Sequence, residues 1–263
     1  MFNPDFKKIK NMIVSVAKNE LLPRFEKISH QHKADGSIVT EADLVVQEKI
    51  QTYLLAHYPE SIVLGEEMTK DEQLLVFESE RPVWCLDPLD GTSNFAFGIP
   101  YFAISLALIE KGQVTFGLVY DPVRDECFMA DIDNVSLNNH KIPCSTHSAD
   151  LAKSTAIIDF KRLSSLLTIN LVKTPPYSSQ RNFGASALDW CWLAVGRGHV
   201  YLHGNQNIWD YAAGNFILEK SGGVAKTLQK ENVFSFKLEK RSVVAAVNAN
   251  LFTQWIKWIE VNA

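Results

Sequence analysis

The chain has 263 residues, 46% hydrophobic and 21% charged, with 26 Lys+Arg against 30 Asp+Glu for a formal net charge of −4. That is an ordinary globular composition, long enough to bury a large core as one domain or two lobes. No long basic run predicts a nucleic-acid groove or an anionic-membrane surface, and Lys, Arg, Asp or Glu breaks every apolar run before it reaches bilayer length.

Met1 to Lys8 lacks the apolar core of a signal peptide, so the cytoplasm is the expected compartment. From Phe6 to Ile28 apolar residues recur at positions 6, 9, 13, 16, 17, 21 and 25, a helical period with a kink or break expected at Pro23. Residues 30 to 39 are polar and turn-rich. Thr40 then opens a second helix running to about Tyr58, and Thr40 with Asp43 three residues later forms a capping-box pattern. A short strand, Ile62-Val63-Leu64, ends in Gly65-Glu66-Glu67, and a charged loop is expected over 70 to 81.

The next stretch is the most informative. An apolar strand over Val83 to Leu86 ends in Asp87, and Asp90 follows three residues on. Pro88 stiffens the backbone between them, and Gly91-Thr92 marks a helix start. Two acidic ligands, free backbone N–H groups and a hydroxyl lie within six residues, the parts that hold divalent metals against a phosphate. Five fixed residues of this kind arise by chance in about one chain in several thousand of this length. The plainer alternative is an Asp-rich turn at the end of a buried strand.

Residues 102 to 109, 113 to 120 and 126 to 130 read as a three-strand meander with turns at Lys111-Gly112 and Asp121-Pro122, so the sheet is at least partly antiparallel. Beyond it, strands at 155 to 159, 199 to 203 and 243 to 247 mix with helices at about 185 to 196, 210 to 221 and 250 to 261. Ser221-Gly222-Gly223 is a helix stop. Asp210 opens the second of these helices, where an acid is also a good N-cap. Four cysteines, at 85, 127, 144 and 191, form no Cys-x-x-Cys pair and are expected as buried reduced thiols, which makes a zinc site improbable. No repeat or composition break divides the chain. The expected organisation is one compact unit with two lobes, 1–140 carrying most of the acidic motif and 141–263 supplying Asp210.

Taken together, these segments resemble the inositol monophosphatase family of magnesium-dependent phosphatases, in order and over nearly the whole chain. Lys33 with Val39-Thr40-Glu41-Ala42-Asp43 resembles its first motif, Gly65-Glu66-Glu67 its second, and Asp87-Pro88-Leu89-Asp90-Gly91-Thr92-Ser93 its main signature. Trp209-Asp210-Tyr211-Ala212-Ala213-Gly214 resembles its C-terminal motif, and Arg181 with Phe183-Gly184-Ala185-Ser186 its substrate-side segment.

The resemblance implies a layered αβαβα sugar-phosphatase fold of the α/β (α+β) class with mixed sheets, and a homodimer. It implies two to three Mg2+ ions, held by Glu66, Asp87, the carbonyl of Leu89, Asp90 and Asp210. Glu66, with Thr92 hydrogen-bonded to Asp43, would serve the attacking water. Gly91, Thr92 and Ser93, helped by Lys33, would hold the phosphate. Arg181, Gly184, Ala185, Ser186 and His203 would line the substrate side, and lithium would inhibit.

His203 stands where inositol-specific members carry a sugar-binding Glu, and the usual Gly-x-Gly-Ala loop is replaced by Asp131 to Val135. The resemblance therefore implies a small phosphomonoester substrate, an inositol phosphate or a related sugar or polyol phosphate, and leaves its identity open. Fructose 1,6-bisphosphate, histidinol phosphate, NADP and 3'(2'),5'-bisphosphate nucleotides are the alternatives within the superfamily. A protein-binding role in a transcription complex is the non-enzymatic one.

Overall fold

The computed structural model describes residues 2–25, 30–32, 38–145 and 150–263. In chain order the elements are α1 (Phe6–Val16), β1 (His30–His32), β2 (Ile38–Thr40), α2 (Glu41–His57), β3 (Ile62–Gly65), α3 (Lys70–Phe77), β4 (Val83–Asp90), α4 (Thr92–Ala96), β5 (Ala103–Glu110), β6 (Gln113–Asp121), β7 (Glu126–Ala130), β8 (Val135–Leu137) and β9 (His140–Lys141). The second half contributes β10 (Thr155–Asp159), α5 (Ser165–Lys173), β11 (Ser179–Arg181), α6 (Ser186–Ala194), β12 (Val200–Gln206), α7 (Ile208–Lys220), β13 (Val224–Lys226), β14 (Arg241–Ala246) and α8 (Ala249–Asn262).

Strands β3 to β9 form a seven-stranded sheet in sequence order, in which only β3 and β4 run parallel. A five-stranded sheet has the order β11-β10-β12-β14-β13, parallel across its first three strands and antiparallel beyond. Helices α1 and α2 cover one face of the larger sheet, closing a core of Ile9, Ile13, Val46, Ile50, Trp84 and Phe116. Helices α6 and α7 pack between the two sheets, and α5 with α8 covers the outer face of the smaller one. That is the layered αβαβα arrangement.

The helix α7 sits in the middle layer, and its sequence explains the placement. Ten of its thirteen residues are buried, so apolar residues run around its whole circumference rather than along one stripe. Gly214 lies against the Trp190 Cβ, which a methyl group there would meet at 2.5 Å, so the glycine lets α6 and α7 approach closely. Phe116, Tyr120 and Trp255 are wholly buried and belong to the core.

One expectation holds and three need correction. The first helix breaks where expected: α1 continues as a π-turn over Ala17–Leu21 and the chain turns over residues 22–25, around Pro23, whereas residues 26–29 lie outside those described. The loop expected over 70 to 81 contains α3, started by a capping box in which Thr69 Oγ1 accepts from Glu72 N–H and Glu72 Oε2 accepts from Thr69 N–H at 2.8 Å. Its apolar residues are clumped at 74 to 77 instead of spaced by a turn, which hides the period. The helix expected to open at Asp210 begins at Ile208 with Asn207 as N-cap, so Asp210 sits in the third helical position. Finally, Cys85, Cys127 and Cys191 are buried as expected, but Cys144 is exposed, because it follows the last strand of the larger sheet instead of lying within one. No helix among the described residues is long and apolar enough to cross a membrane.

Candidate active site

The acidic motif depends on a fault in β4. On a regular strand, side chains alternate, so residues three apart face opposite sides of the sheet. Asp87 pairs with Ser105 of β5 but Asp90 pairs with Ala103, three residues against two, so β4 holds one extra residue between them. This bulge reverses the alternation and turns both carboxylates into the same cleft. Pro88 occupies the bulge, where its missing N–H costs no ladder bond. Gly91 follows with φ 89°, a left-handed turn that swings the chain into α4.

The other acids arrive from neighbouring elements. Because β3 and β4 are parallel and Gly65 pairs with Leu86, the turn after β3 places Glu66 beside Asp87. Two buried amides pin that turn: Gln47 Oε1 of α2 accepts from Glu67 N–H at 3.0 Å, and Gln73 Nε2 of α3 donates to the Gly65 carbonyl at 2.9 Å. Asp210 comes from the first turn of α7, anchored where Ser105 Oγ donates to the Trp209 carbonyl at 3.2 Å. Ser105 is the partner of Asp87 across the sheet, so this one bond ties the two acidic segments together.

Glu66, Asp87, Leu89, Asp90, Gly91, Thr92, Ser93, Gly184, Ser186, His203 and Asp210 all line one cleft of about 330 Å3. Asp43 lies just beneath it: Thr92 Oγ1 is 3.1 Å from Asp43 Oδ1 and 2.9 Å from the Leu89 carbonyl, and its one proton serves one of them at a time. Ala185 is buried behind the cleft, its Cβ 3.0 Å from where a side chain on Gly91 would begin. Arg181 is exposed at the end of β11 and donates to Ser179 Oγ and the Gln180 carbonyl; it is not among the lining residues. Lys33 lies outside the described residues.

The carboxylates are crowded and dry. Burial raises the Asp87 carboxyl well above its ordinary range, and the charges of Glu66, Asp90 and Asp210 raise it further. Asp90 is raised by burial and by Asp210, against the pull of backbone N–H groups at the start of α6; Ala187 N–H donates to Oδ2 at 2.7 Å and Ser186 N–H to Oδ1 at 3.1 Å. Asp210 is raised by burial, offset by the Asn207 N–H at 2.8 Å and by the charges of Arg162 and Lys240. Asp43 is raised by burial, offset by the Thr40 hydroxyl and N–H, which donate to Oδ2 at 2.6 and 2.7 Å.

In this conformation no three His, Cys, Asp or Glu side chains among the described residues are gathered closely enough to hold a metal ion. Backbone groups hold these carboxylates instead, but each carboxylate oxygen offers two lone pairs and keeps acceptor capacity beyond one N–H.

Asp159, Lys161, Arg162, Asn182, Asp189, Asn207 and Lys240 also line the cleft, and none stands out in the sequence. Asp189 is buried with its carboxyl well raised by burial and by Asp90, and Tyr101 OH donates to it at 3.0 Å. A capping signal was available only for Asn207, whose side chain and Asp210 satisfy each other's backbone at the start of α7.

His203 is already engaged. Its Nδ1 accepts from Asn205 N–H at 3.1 Å, which leaves the proton on Nε2, 3.3 Å from Asp159 Oδ2. That bond holds the Asp159 carboxyl below its ordinary range. Gly204 permits the arrangement: a Cβ there would meet the Arg162 carbonyl oxygen at 1.8 Å. Gly204→Ala is therefore expected to cost about 1–3 kcal/mol by overpacking, read as a lower denaturation midpoint at unchanged m-value.

Fold and cleft together are those of a phosphoric monoester hydrolase. The chain belongs to the inositol monophosphatase family, whose model matches residues 5–260. Inositol monophosphatase 1 of Solanum lycopersicum is 34% identical over 73% of this chain and 73% of its own. Nus factor SuhB of Pasteurella multocida is 32% identical over 73% of this chain and 72% of its own. Among solved structures, the IMPase of Thermotoga maritima superposes with a TM-score of 0.84 at 25% identity, covering 97% of this chain and 96% of that one.

Proposed function

We propose that this protein hydrolyses a small phosphomonoester, an inositol phosphate or a related sugar or polyol phosphate, with magnesium as cofactor. The observation that carries this reading is that Glu66, Asp87, Asp90 and Asp210 line one cleft beside Thr92, which is bonded to Asp43. Buried carboxylates without a cation are costly, and burial with the charges of Glu66, Asp90 and Asp210 raises Asp87 well above its ordinary range. Hard carboxylate and carbonyl oxygens suit magnesium, and the family resemblance implies two to three ions of that kind. Glu66, Asp87, the Leu89 carbonyl, Asp90 and Asp210 would hold them. Bound there, magnesium supplies charge for the phosphoryl oxygens and acidifies the attacking water.

The chain's own groups do the rest. Glu66 and Thr92 orient the water; Thr92 Oγ1 takes its proton and passes its own to Asp43 Oδ1, which burial makes the stronger base. Backbone N–H groups of Gly91 and Thr92, with Ser93, bind phosphate oxygens. Gly184, Ser186 and His203 flank the leaving alcohol, which departs on the Asp210 side. Water adds at phosphorus as the bond to the alcohol oxygen breaks; the leaving oxygen takes a proton from solvent, Asp43 gives its proton back to solvent, and inorganic phosphate and the alcohol are released. Lys33 assists at the phosphate, whereas Arg181 and Ala185 act through the backbone around Gly184.

In this reading lobe 1–140 carries most of the acids and lobe 141–263 brings Asp210, and the working form is a cytoplasmic homodimer. The test is phosphate release from inositol 1-phosphate, glycerol 2-phosphate, fructose 1,6-bisphosphate, histidinol phosphate, NADP and adenosine 3',5'-bisphosphate. Release that requires magnesium, stops with chelator and falls with lithium supports the reading; release without magnesium, or none, sinks it. The likeness to Nus factor SuhB supports a second reading, a protein-binding role in a transcription complex. A stoichiometric partner in a pulldown, with no turnover, would favour it.

A further inference from the structure

We propose that the alcohol released by this protein carries a second anionic group, a phosphate or a carboxylate, bound by Lys161, Arg162 and Lys240 on the cleft wall beside Asp210. This rests on the phosphatase reading and adds the charge of the part that leaves.

The wall opposite the acidic motif is cationic by construction. A short 3-10 turn over Phe160–Arg162 follows β10, started by Asp159 Oδ1, which accepts from Lys161 N–H at 2.8 Å. Gly204 lets that turn lie directly on β12, with the Arg162 carbonyl in the space a side chain would fill. Arg162 Nη1 then donates to the Asn205 carbonyl at 2.9 Å, which lays the guanidinium along the cleft. Lys240 enters the same cleft from the segment before β14. The ammonium groups of Lys161 and Lys240 have no hydrogen-bond or ion-pair partner among the described residues. Asp159 is a carboxylate of this wall, and it is occupied by His203.

Three cations thus line the side of the cleft that holds Asp159, already paired with His203, and the buried Asp189 and Asp210. Arg162 and Lys240 are close enough for their charges to act on Asp210, the side on which the alcohol departs. The Nδ1 lone pair of His203 is taken by Asn205 N–H and its Nε2 proton by Asp159, so the free polar groups that distinguish this wall are the cations. Anion recognition uses what this wall offers, N–H donors and positive charge.

The experiment compares kcat/KM with magnesium for glycerol 2-phosphate, whose alcohol is neutral, with fructose 1,6-bisphosphate and adenosine 3',5'-bisphosphate, which add a phosphate, and 2-phosphoglycerate, which adds a carboxylate. Wild type is expected to favour at least one second-anion ester by about 30-fold or more, and the preferred arm identifies which anion. In Lys161→Ala/Lys240→Ala, both exposed positions, the ratio between that ester and glycerol 2-phosphate should fall at least about tenfold, mainly through KM, with an unchanged melting temperature. A wild-type preference for glycerol 2-phosphate overturns the proposal and leaves the phosphatase reading standing, as does a variant ratio within about threefold of wild type. Turnover of no ester overturns both.

Discussion

Asp210→Asn is expected to lower magnesium-dependent phosphate release by about 10³-fold or more with little change in stability. Removing a carboxylate that holds a cation forfeits several kcal/mol of transition-state charge stabilisation, and about 1.4 kcal/mol is tenfold in rate. Stability should survive because Asp210 contributes one oxygen, Oδ2, to the start of α7, where it accepts from Asn207 N–H. An asparagine oxygen can accept that bond, and losing a buried negative charge relieves its desolvation. The check is kcat across a magnesium titration together with a denaturation curve; near-wild-type turnover would overturn the ligand assignment. Asp90→Asn makes a useful contrast. From sequence alone it too is expected to spare the fold, but both oxygens of Asp90 accept N–H groups at the start of α6. An amide satisfies only one of them, so this variant should lose activity and also about 1–3 kcal/mol of stability.

Thr92→Val should reduce kcat by about 10²–10⁴-fold, the range for a positioned proton-transfer group, with KM affected much less. Valine matches threonine in shape, so the change removes the hydroxyl and its bond to Asp43 Oδ1 or the Leu89 carbonyl without opening a cavity. Thr92→Ser keeps the oxygen and should retain most of the rate. If Thr92 and Asp43 work as one relay, Thr92→Val and Asp43→Asn will be strongly non-additive, the double variant being little slower than either single one. Additive losses would mean that Asp43 merely caps α2 through Thr40 and that the proton leaves by another route.

Where local chemistry decides the conformation, the sequence was enough. The Thr40–Asp43 capping pattern placed the start of α2 correctly, since both partners lie within one turn. The meander of β5, β6 and β7 followed from apolar runs separated by turn residues, and Lys111 and Gly112 do adopt left-handed conformations, at φ 50° and 71°. The Ser221-Gly222-Gly223 stop holds for the same reason, with Gly222 at φ 92° and Gly223 N–H donating to the Leu218 carbonyl at 3.0 Å. Helices α3 and α5 are not legible in the sequence, because their stability comes from caps at Thr69 and Ser164 and from packing, not from an apolar period.

The sequence by itself determined the family and the layered fold, and it singled out Glu66, Asp87, Asp90 and Asp210, which line one cleft, because motif residues and their order are written along the chain. Only the tertiary structure decided what those residues meet. The bulge at Pro88 that brings Asp87 and Asp90 onto one face is a matter of register with β5, and the anchoring of Asp210 depends on Ser105, 105 positions earlier in the chain than α7's own acid. The basic wall of Lys161, Arg162 and Lys240 comes from segments about 80 residues apart, each an ordinary solvated cation when read alone. Charge acts through space, and the distances that make three scattered cations one surface exist only once β10, β12 and β14 lie side by side.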